Sequence, residues 1–423
     1  MDISKRLFYS NALYYFIGIV GGGLINFFSI PLIIEKYGVE KYGNYSLIQN
    51  VILIIISFGS GWLNQNILRF NNGSQIFKSK ILSFYYLTLL PLFLVSLFLI
   101  LILRYNFLIA IISSFTVTIG CLTAIMNTFY QSNLNAKKNV LFDLFRVIGF
   151  VGCVYIFSFF DQNKHSVMFL IVGFFISYLI AFVLKLRSDF SQLLIIFENL
   201  RKNFNVVKLK KFLRENKYLF DYGWPLSLWF TVSSVLNVGD RYVINMYLSK
   251  SDLGNYSAIY DLLYKGVSIS FTPILAAGYP IISKFYNNNQ KNKAYLFIKR
   301  LVIFEIFILL IAVMVAIQLD EFFLEKIVRL EYTRENAKLV PLILIGAIIW
   351  QICMLIHKPL ELKLKTKAML SFAIASLILN LTLNFIFIPK FGLIAAAYNS
   401  IIGVALYLIL NLGYIIINRK WDI

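Results

Sequence analysis

Apolar runs of about 18 residues or more, almost free of charge, recur from one end of this chain to the other. Such a run can satisfy its backbone polar groups in hydrocarbon only by bonding them within itself, so each must be a membrane-crossing helix. Hydropathy places twelve of them, near 9–34, 44–68, 81–103, 107–130, 139–160, 166–186, 218–247, 254–281, 299–318, 339–357, 369–388 and 392–417. Composition agrees: 59% of residues are hydrophobic and 14% charged, where a soluble domain is about a quarter charged. The expected fold is an all-α polytopic membrane protein.

A formal net charge of +20 would point to nucleic acid in a soluble chain. Here the bases sort by side instead. With the N-terminus in the cytoplasm, inner segments hold 28 Lys and Arg and outer segments 10, leaving Arg241 and Lys265 inside spans. That bias puts both termini on the cytoplasmic side and removes nucleic acid as a partner. Lys5 and Arg6 precede the first apolar run without a small-residue cleavage site, which reads as a retained first span. The largest basic block, Lys185–Lys217, includes Arg201, Lys202, Lys208, Lys210, Lys211 and Arg214. It is expected to be a cytoplasmic linker lying on the membrane surface as an amphipathic helix. Cys121, Cys153 and Cys353 fall in apolar runs without metal-ligand spacing, so they read as core filler and no metal site is expected.

Shifting the chain by 211 residues lays its halves on each other. Gly43-Asn44-Tyr45-Ser46 falls on Gly254-Asn255-Tyr256-Ser257, Asn26 on Asn237 and Ile33 on Ile244. Both tetrapeptides occupy the outer turn between the first and second spans of a six-span half. Six is even, so the halves share one orientation, and parallel repeats of this kind bind substrate between them. The domains expected are a six-helix lobe over 1–190, the linker 191–217, and a second six-helix lobe over 218–423.

The same alignment exposes an asymmetry. Asp240, Arg241, Asp261 and Lys265 fall on Ser29, Ile30, Asn50 and Ile54. A charge inside a membrane helix costs several kcal/mol unless it faces protein or water, so four in one hairpin need a reason. Asp261 and Lys265 are spaced i,i+4 with the acid first, the favourable order. Asp240 and Arg241 are adjacent and point about 100° apart, which predicts cross-pairing between the two helices. One reading is a salt-bridge cluster that only locks the hairpin; the other is a site whose arginine and lysine meet a phosphate.

Further candidates lie outside the hairpin. Asn64 belongs to the polar run Gly59-Ser60-Gly61-Trp62-Leu63-Asn64-Gln65-Asn66, which reads as a wall facing water or sugar, and Arg69 ends the same span. Asp143 and Arg146, spaced i,i+3, read as an interfacial pair or a lesser anion site. Glu305, placed about one turn inside the ninth span, joins Asp240 and Asp261 as a candidate for coupling to H⁺ or Na⁺. Gly21-Gly22-Gly23, Gly223-Trp224-Pro225, Pro273 and Pro280 read as hinges.

With these residues in view, the chain resembles the Wzx-type polysaccharide flippases of the MOP superfamily, which also holds the lipid II flippase MurJ and the MATE exporters. The resemblance rests on Asn26-Phe-Phe-Ser-Ile-Pro31, Tyr42-Gly43-Asn44-Tyr45-Ser46, Gly61-Trp62-Leu63-Asn64-Gln65 with Arg69-Phe70, and Gly239-Asp240-Arg241-Tyr242 with Gly254-Asn255-Tyr256-Ser257. It implies two parallel lobes in a V around a central cationic cleft. It also implies export of an undecaprenyl-pyrophosphate-linked oligosaccharide across the bacterial inner membrane by alternating access, alongside a polysaccharide polymerase and chain-length machinery. The substrate-facing residues would be Arg241, Lys265, Arg69, Asn64 and Arg146, amid membrane lipids. No catalytic residue and no cofactor beyond a coupling ion are expected.

Two other readings compete. A MATE-like antiporter for small cations would want an acidic or aromatic cavity, whereas this hairpin carries both signs. An integral-membrane polymerase would need a catalytic loop or extramembrane domain, for which the outer loops are too short. No Gly-rich phosphate loop or nucleophile triad appears.

Overall fold

The computed structural model describes residues 3–71, 75–133, 135–160, 167–188, 214–215, 217–363 and 365–417. Among them the chain is helical almost throughout and no strand forms. The first half contains α1 (Ile3–Tyr37), α2 (Val39–Phe70), α3 (Gln75–Ile102), α4 (Phe107–Ser132), α5 (Ala136–Phe160) and α6 (Val167–Ser188). The second half contains α7 (Lys217–Tyr247), α8 (Lys250–Asn287), α9 (Lys291–Gln318) and α10 (Arg334–Ile356). It ends in one long run, Thr366–Ile417, that is broken at Gly392. There φ is 66° and ψ is −148°, a conformation open to glycine and closed to residues with a Cβ. The break divides the run into α11 (366–391) and α12 (393–417). Each expected span is thus a helix. The connection after α9 includes a short helix, Asp320–Phe322, and a π-helical turn, Phe323–Val328.

Among the described residues, eight helices are long and apolar enough to cross a membrane by length and composition, with α11 and α12 taken together. Charges lie inside both α7 and α8, at Asp240, Arg241, Asp261 and Lys265.

Local sequence sets the helix ends. Asn106 caps α4, its side chain accepting the N–H of Ile109 at 2.8 Å. Thr333 caps α10 by accepting the N–H of Asn336 at 3.1 Å. α8 starts on a reciprocal cap. Asp252 accepts the backbone N–H of Ser249 at 3.1 Å, and the Ser249 hydroxyl accepts the N–H of Asp252 at 3.1 Å. The expected hinge glycines and prolines do not break their helices: α1 runs through Gly21–Gly23 and α7 through Gly223 and Pro225.

The chain packs as two compact units, and their limits differ from a simple mid-chain split. One unit is Met1–Ile25 with Ile48–Thr231; the other is Asn26–Leu47 with Val232–Ile423. The linker 191–217 falls almost wholly outside the described residues. In the first unit α5 packs on α6, α3 on α4 and α4 on α6. In the second, α10 is the central helix and touches α8, α9 and the α11–α12 run. Its core is Val267 and Phe271 from α8 with Leu344, Ala347, Ile348 and Ile352 from α10.

The second unit also holds the tightest backbone crossing, at the repeated tetrapeptide. A Cβ on Gly43 would lie 2.8 Å from both Cα and N of Gly254. A Cβ on Gly254 would lie 2.3 Å from the Val39 carbonyl oxygen. The starts of α2 and α8 therefore meet glycine to glycine, which is how small residues let membrane helices approach. Gly43→Ala and Gly254→Ala should each destabilise the protein by about 1–3 kcal/mol, the range for overpacking. Gly22→Ala, with nothing within 4 Å of the added methyl, should leave thermal unfolding in detergent unchanged; equal transitions in all three variants would refute the crossing.

Candidate functional site

The four charges that single out α7 and α8 lie together in the second unit. Asp240 and Arg241 are both fully buried. Because neighbours on a helix point about 100° apart, they reach different partners. Asp240 accepts hydrogen bonds from the Tyr256 hydroxyl, from Ser400 at 3.0 Å and from the Arg241 backbone N–H at 2.8 Å. Arg241 donates through Nη2 to Asp261 Oδ1 at 2.6 Å and through Nη1 to Ser46 at 2.6 Å. Its guanidinium carbon sits 4.9 Å from the centre of the Tyr260 ring. The other Asp261 oxygen accepts Tyr42 at 2.5 Å and Ser46 at 3.4 Å.

The cross-pairing expected between α7 and α8 is therefore present, but the i,i+4 pair is not. Among the described residues Lys265 makes no salt bridge within 4.0 Å, and Asp261 lies in its field without touching it. The reason is geometric. Arg241 holds one oxygen of Asp261 while Tyr42 and Ser46 hold the other, so the acid is bonded from α7 and α2 rather than from its own helix. Lys265 is partly buried in α8. The hub as a whole is neutral, two acids against two bases.

Tyr42, Ser46, Tyr256 and Ser400 complete this network and were not among the site residues expected from sequence. The repeat carried the signal for two of them, since Ser46 and Tyr256 belong to the matched tetrapeptides. Ser46 meets Arg241, whereas its repeat equivalent Ser257 would face Ile30, and the Ser257 hydroxyl is buried without a hydrogen-bond partner. Beside the network lies a small cavity of about 10 Å³, lined by Asn237, Tyr256, Tyr260, Gly346 and Ser400 among others. Asn380, Asn384 and Asn399 close a ring of amide bonds, at 3.0–3.1 Å, that ties α11 to α12.

The first unit treats its candidates differently. The polar run in α2 is a packing seam rather than a wet wall. Ser227 of α7 donates to the Phe58 carbonyl at 2.7 Å, and Gly61 sits against Ser227. Asn66 donates to the Trp62 and Leu219 carbonyls, both at 2.8 Å. Asn64 is partly buried; its amide reaches Ser60 at 3.4 Å and its carbonyl oxygen has no partner. The side chain of Arg69 lies outside the described residues.

Asp143 and Arg146 do not pair along α5. Asp143 accepts Asn127 at 3.0 and 3.1 Å and lies 3.6 Å from Lys185 of α6. Arg146 lies 5.0 Å from the centre of the Tyr178 ring. Lys185, grouped by sequence with the basic linker, is instead fully buried inside α6. Glu305 also moves. It lies 14 residues beyond the start of α9 at Lys291, roughly 21 Å along the axis, and is fully buried with no donor on either oxygen. Among the described residues no group of three or more His, Cys, Asp or Glu is placed to hold a metal.

Removing one partner of a buried ion pair leaves the other charge uncompensated, at roughly 3–5 kcal/mol. Arg241→Ala and Asp261→Ala should each lower thermal stability by that order, and the double variant by clearly less than their sum. Strict additivity in this double-mutant cycle would show that the two side chains act independently.

Comparison with known proteins places this geometry. A family model described as "Polysaccharide biosynthesis protein" matches residues 8–286. Among solved structures, an inward-facing multidrug resistance MATE family transporter of the MOP superfamily is 13% identical with a TM-score of 0.68, covering 98% of this chain and 96% of that one. The lipid II flippase MurJ, in an inward closed conformation, is 17% identical with a TM-score of 0.66, covering 97% and 93%. An outward-facing MATE transporter is 14% identical with a TM-score of 0.58, covering 98% and 95%. No curated protein matches the chain. At these identities the solved structures show the fold, and the family model shows the lineage: the chain belongs to the family described as polysaccharide biosynthesis proteins.

Proposed function

We propose that this multi-pass membrane protein moves an undecaprenyl-pyrophosphate-linked oligosaccharide from the cytoplasmic to the outer leaflet of the bacterial inner membrane. The repeat unit would then enter assembly of a surface polysaccharide such as O-antigen or capsule, through a polymerase and its chain-length machinery. The protein itself performs no covalent step. Its termini lie in the cytoplasm, in keeping with the skew of Lys and Arg toward the inner segments. Family membership supports the reading, as does the likeness to a flippase whose cargo is lipid II.

One observation carries it. Lys265 is a cation inside α8 without a salt-bridge partner among the described residues. An unpaired ammonium in a membrane helix is costly to keep and suits a phosphate oxygen. Arg241, its Nη1 and Nη2 donors already committed, holds the hub in shape and serves as a second phosphate contact only when the site rearranges. Asn64, Arg69 and Arg146 remain the candidates from the first unit. The MATE-type fold does not by itself choose between a drug cation and a lipid-linked anion, but a lysine without a direct salt bridge offers its donors to the second and nothing to the first.

Lys265→Ala should fold to normal levels, lose at least ten-fold in surface polysaccharide and accumulate the lipid-linked intermediate in the cytoplasmic leaflet; Lys265→Arg should retain export. Wild-type surface polysaccharide in a normally expressed Lys265→Ala strain would remove the basis of the reading.

The driving force follows from the cargo. A potential negative inside favours outward movement of an anion by about 2.3 kcal/mol per charge per 100 mV, so a pyrophosphate with about two charges gains more than about 4 kcal/mol. Transport of lipid-linked sugar in proteoliposomes should therefore quicken when the cytoplasmic side is made negative. Rates that ignore both potential and ion gradients would identify a passive facilitator pulled by product removal.

A further inference from the structure

Three acids inside the second unit were candidates for ion coupling, and the structure treats them in two ways. Asp240 and Asp261 each accept three hydrogen bonds, one of those to Asp261 coming from a guanidinium. Those are the surroundings of an ionised carboxylate. Glu305 accepts none: both oxygens are buried and without a donor.

Its neighbours explain why. Val302, Ile308, Leu309, Ala312, Val313 and Ala316 form the stripe of α9 that packs on the α8–α10 core. Glu305 falls on that stripe, three residues after Val302 and four before Leu309. The opposite face of α9 presents Ile303, Phe304, Ile306, Phe307 and Leu310 at the exposed surface. The helix thus turns its one mid-span acid inward, onto apolar side chains. Among the described residues, no titratable group of the elements packed on α9 bonds to it: on α8, Asp261 is held by Arg241, and Lys265 makes no salt bridge. On α10, Cys353 lies within electrostatic range, but its thiol points to the Val404 carbonyl at 3.8 Å. On α8, Tyr264 packs in the same cluster and stacks on Tyr260. His357, at the end of α10, approaches Glu361 at 3.8 Å, and Lys299 and Arg300 of α9 itself are exposed. No lysine, arginine or histidine among the described residues pairs with Glu305.

An ionised carboxylate cannot persist there, so the group is carried as the neutral acid. We infer that Glu305 is the proton-binding site of the transport cycle: a carboxylic acid while α9 is closed on α10, and a carboxylate once that contact admits water. The step balances simply. The Glu305 O–H bond breaks heterolytically, the proton passes to water, and the carboxylate takes a proton back from water on re-closure. This rests on the flippase reading and deepens it, by assigning coupling to H⁺ and to α9 rather than to the charged hub.

The site can be tested without substrate. Infrared spectra of the purified protein in lipid nanodiscs should show, at neutral pH, the carbonyl stretch of a protonated carboxylic acid. That band should disappear in Glu305→Gln and move in Glu305→Asp. A neutral-pH spectrum without the band, or one whose band survives in Glu305→Gln, overturns the assignment whatever the cargo proves to be. The second arm is export in cells. Glu305→Gln copies the neutral acid in shape, so it should reach the membrane normally and yet export at least ten-fold less polysaccharide, with Glu305→Asp partly active. Wild-type export by Glu305→Gln would show that the proton takes no part in the cycle. Should the variant fail to accumulate, Glu305→Asp decides instead, by whether its export profile shifts with external pH. If the flippase reading is what fails, Lys265→Ala leaves lipid-linked intermediates unchanged while the infrared band remains.

Discussion

The second unit depends on one guanidinium. Among the described residues Arg241 is the largest fully buried side chain, and its bonds reach Asp261 on α8 and Ser46 on α2 at once. In an apolar interior such a group is tolerable only if acceptors surround it, because desolvating a charge costs more than one imperfect partner returns. Meeting that condition fixes much else. Asp261 must stand opposite, Tyr42 must cover its second oxygen, and the start of α2 must come close enough for Ser46 to reach. The glycine pair Gly43 and Gly254 is what permits that approach. The polar network and the backbone crossing are thus two parts of one arrangement.

Most of the fold was legible in the sequence because hydropathy is a local property. Each span is read from its own residues, and each became a helix, down to the break at Gly392 between the last two. The shifted repeat was legible for the same reason, residue against residue. What failed to show were choices among partners. Spacing offers Lys265 to Asp261, but Arg241, 20 residues away in sequence, occupies it. Spacing offers Arg146 to Asp143, but Lys185 of α6 and Asn127 of α4 are its neighbours. The run from Gly59 to Asn66 misled in another way. Small and amide side chains look wet in sequence, yet between membrane helices they let backbones touch and supply bonds across the contact.

The two halves share a plan without sharing chemistry. Ser46 has Arg241 to bond; Ser257 has no polar partner. A duplicated hairpin that kept both copies charged would place twice as many ions in hydrocarbon, each demanding its own cage of acceptors. Keeping one copy neutral gives a single hub, with four charges in one hairpin and a ring of hydroxyls around them.

That distribution bears on how the chain enters the bilayer as it is made. A lone arginine at the centre of an inserting helix costs about 2.5–3.5 kcal/mol at the translocon. The first hairpin, with Ser29, Ile30, Asn50 and Ile54 at the corresponding places, can leave the translocon unaided and wait in lipid for the rest of the chain. The second carries Asp240 and Arg241 on α7 and Asp261 and Lys265 on α8, charges that are costly to hold unpaired in lipid. Its arginine and its aspartate are separated only by the short break at Leu248 and Ser249 between two helices. The two can therefore enter as a neutral pair, each bringing the other's counter-ion. Had the acid been left on α2, Arg241 would depend on a partner released into lipid some 200 residues earlier. Placed where it is, the charge arrives in the membrane with its neutraliser already in the same hairpin.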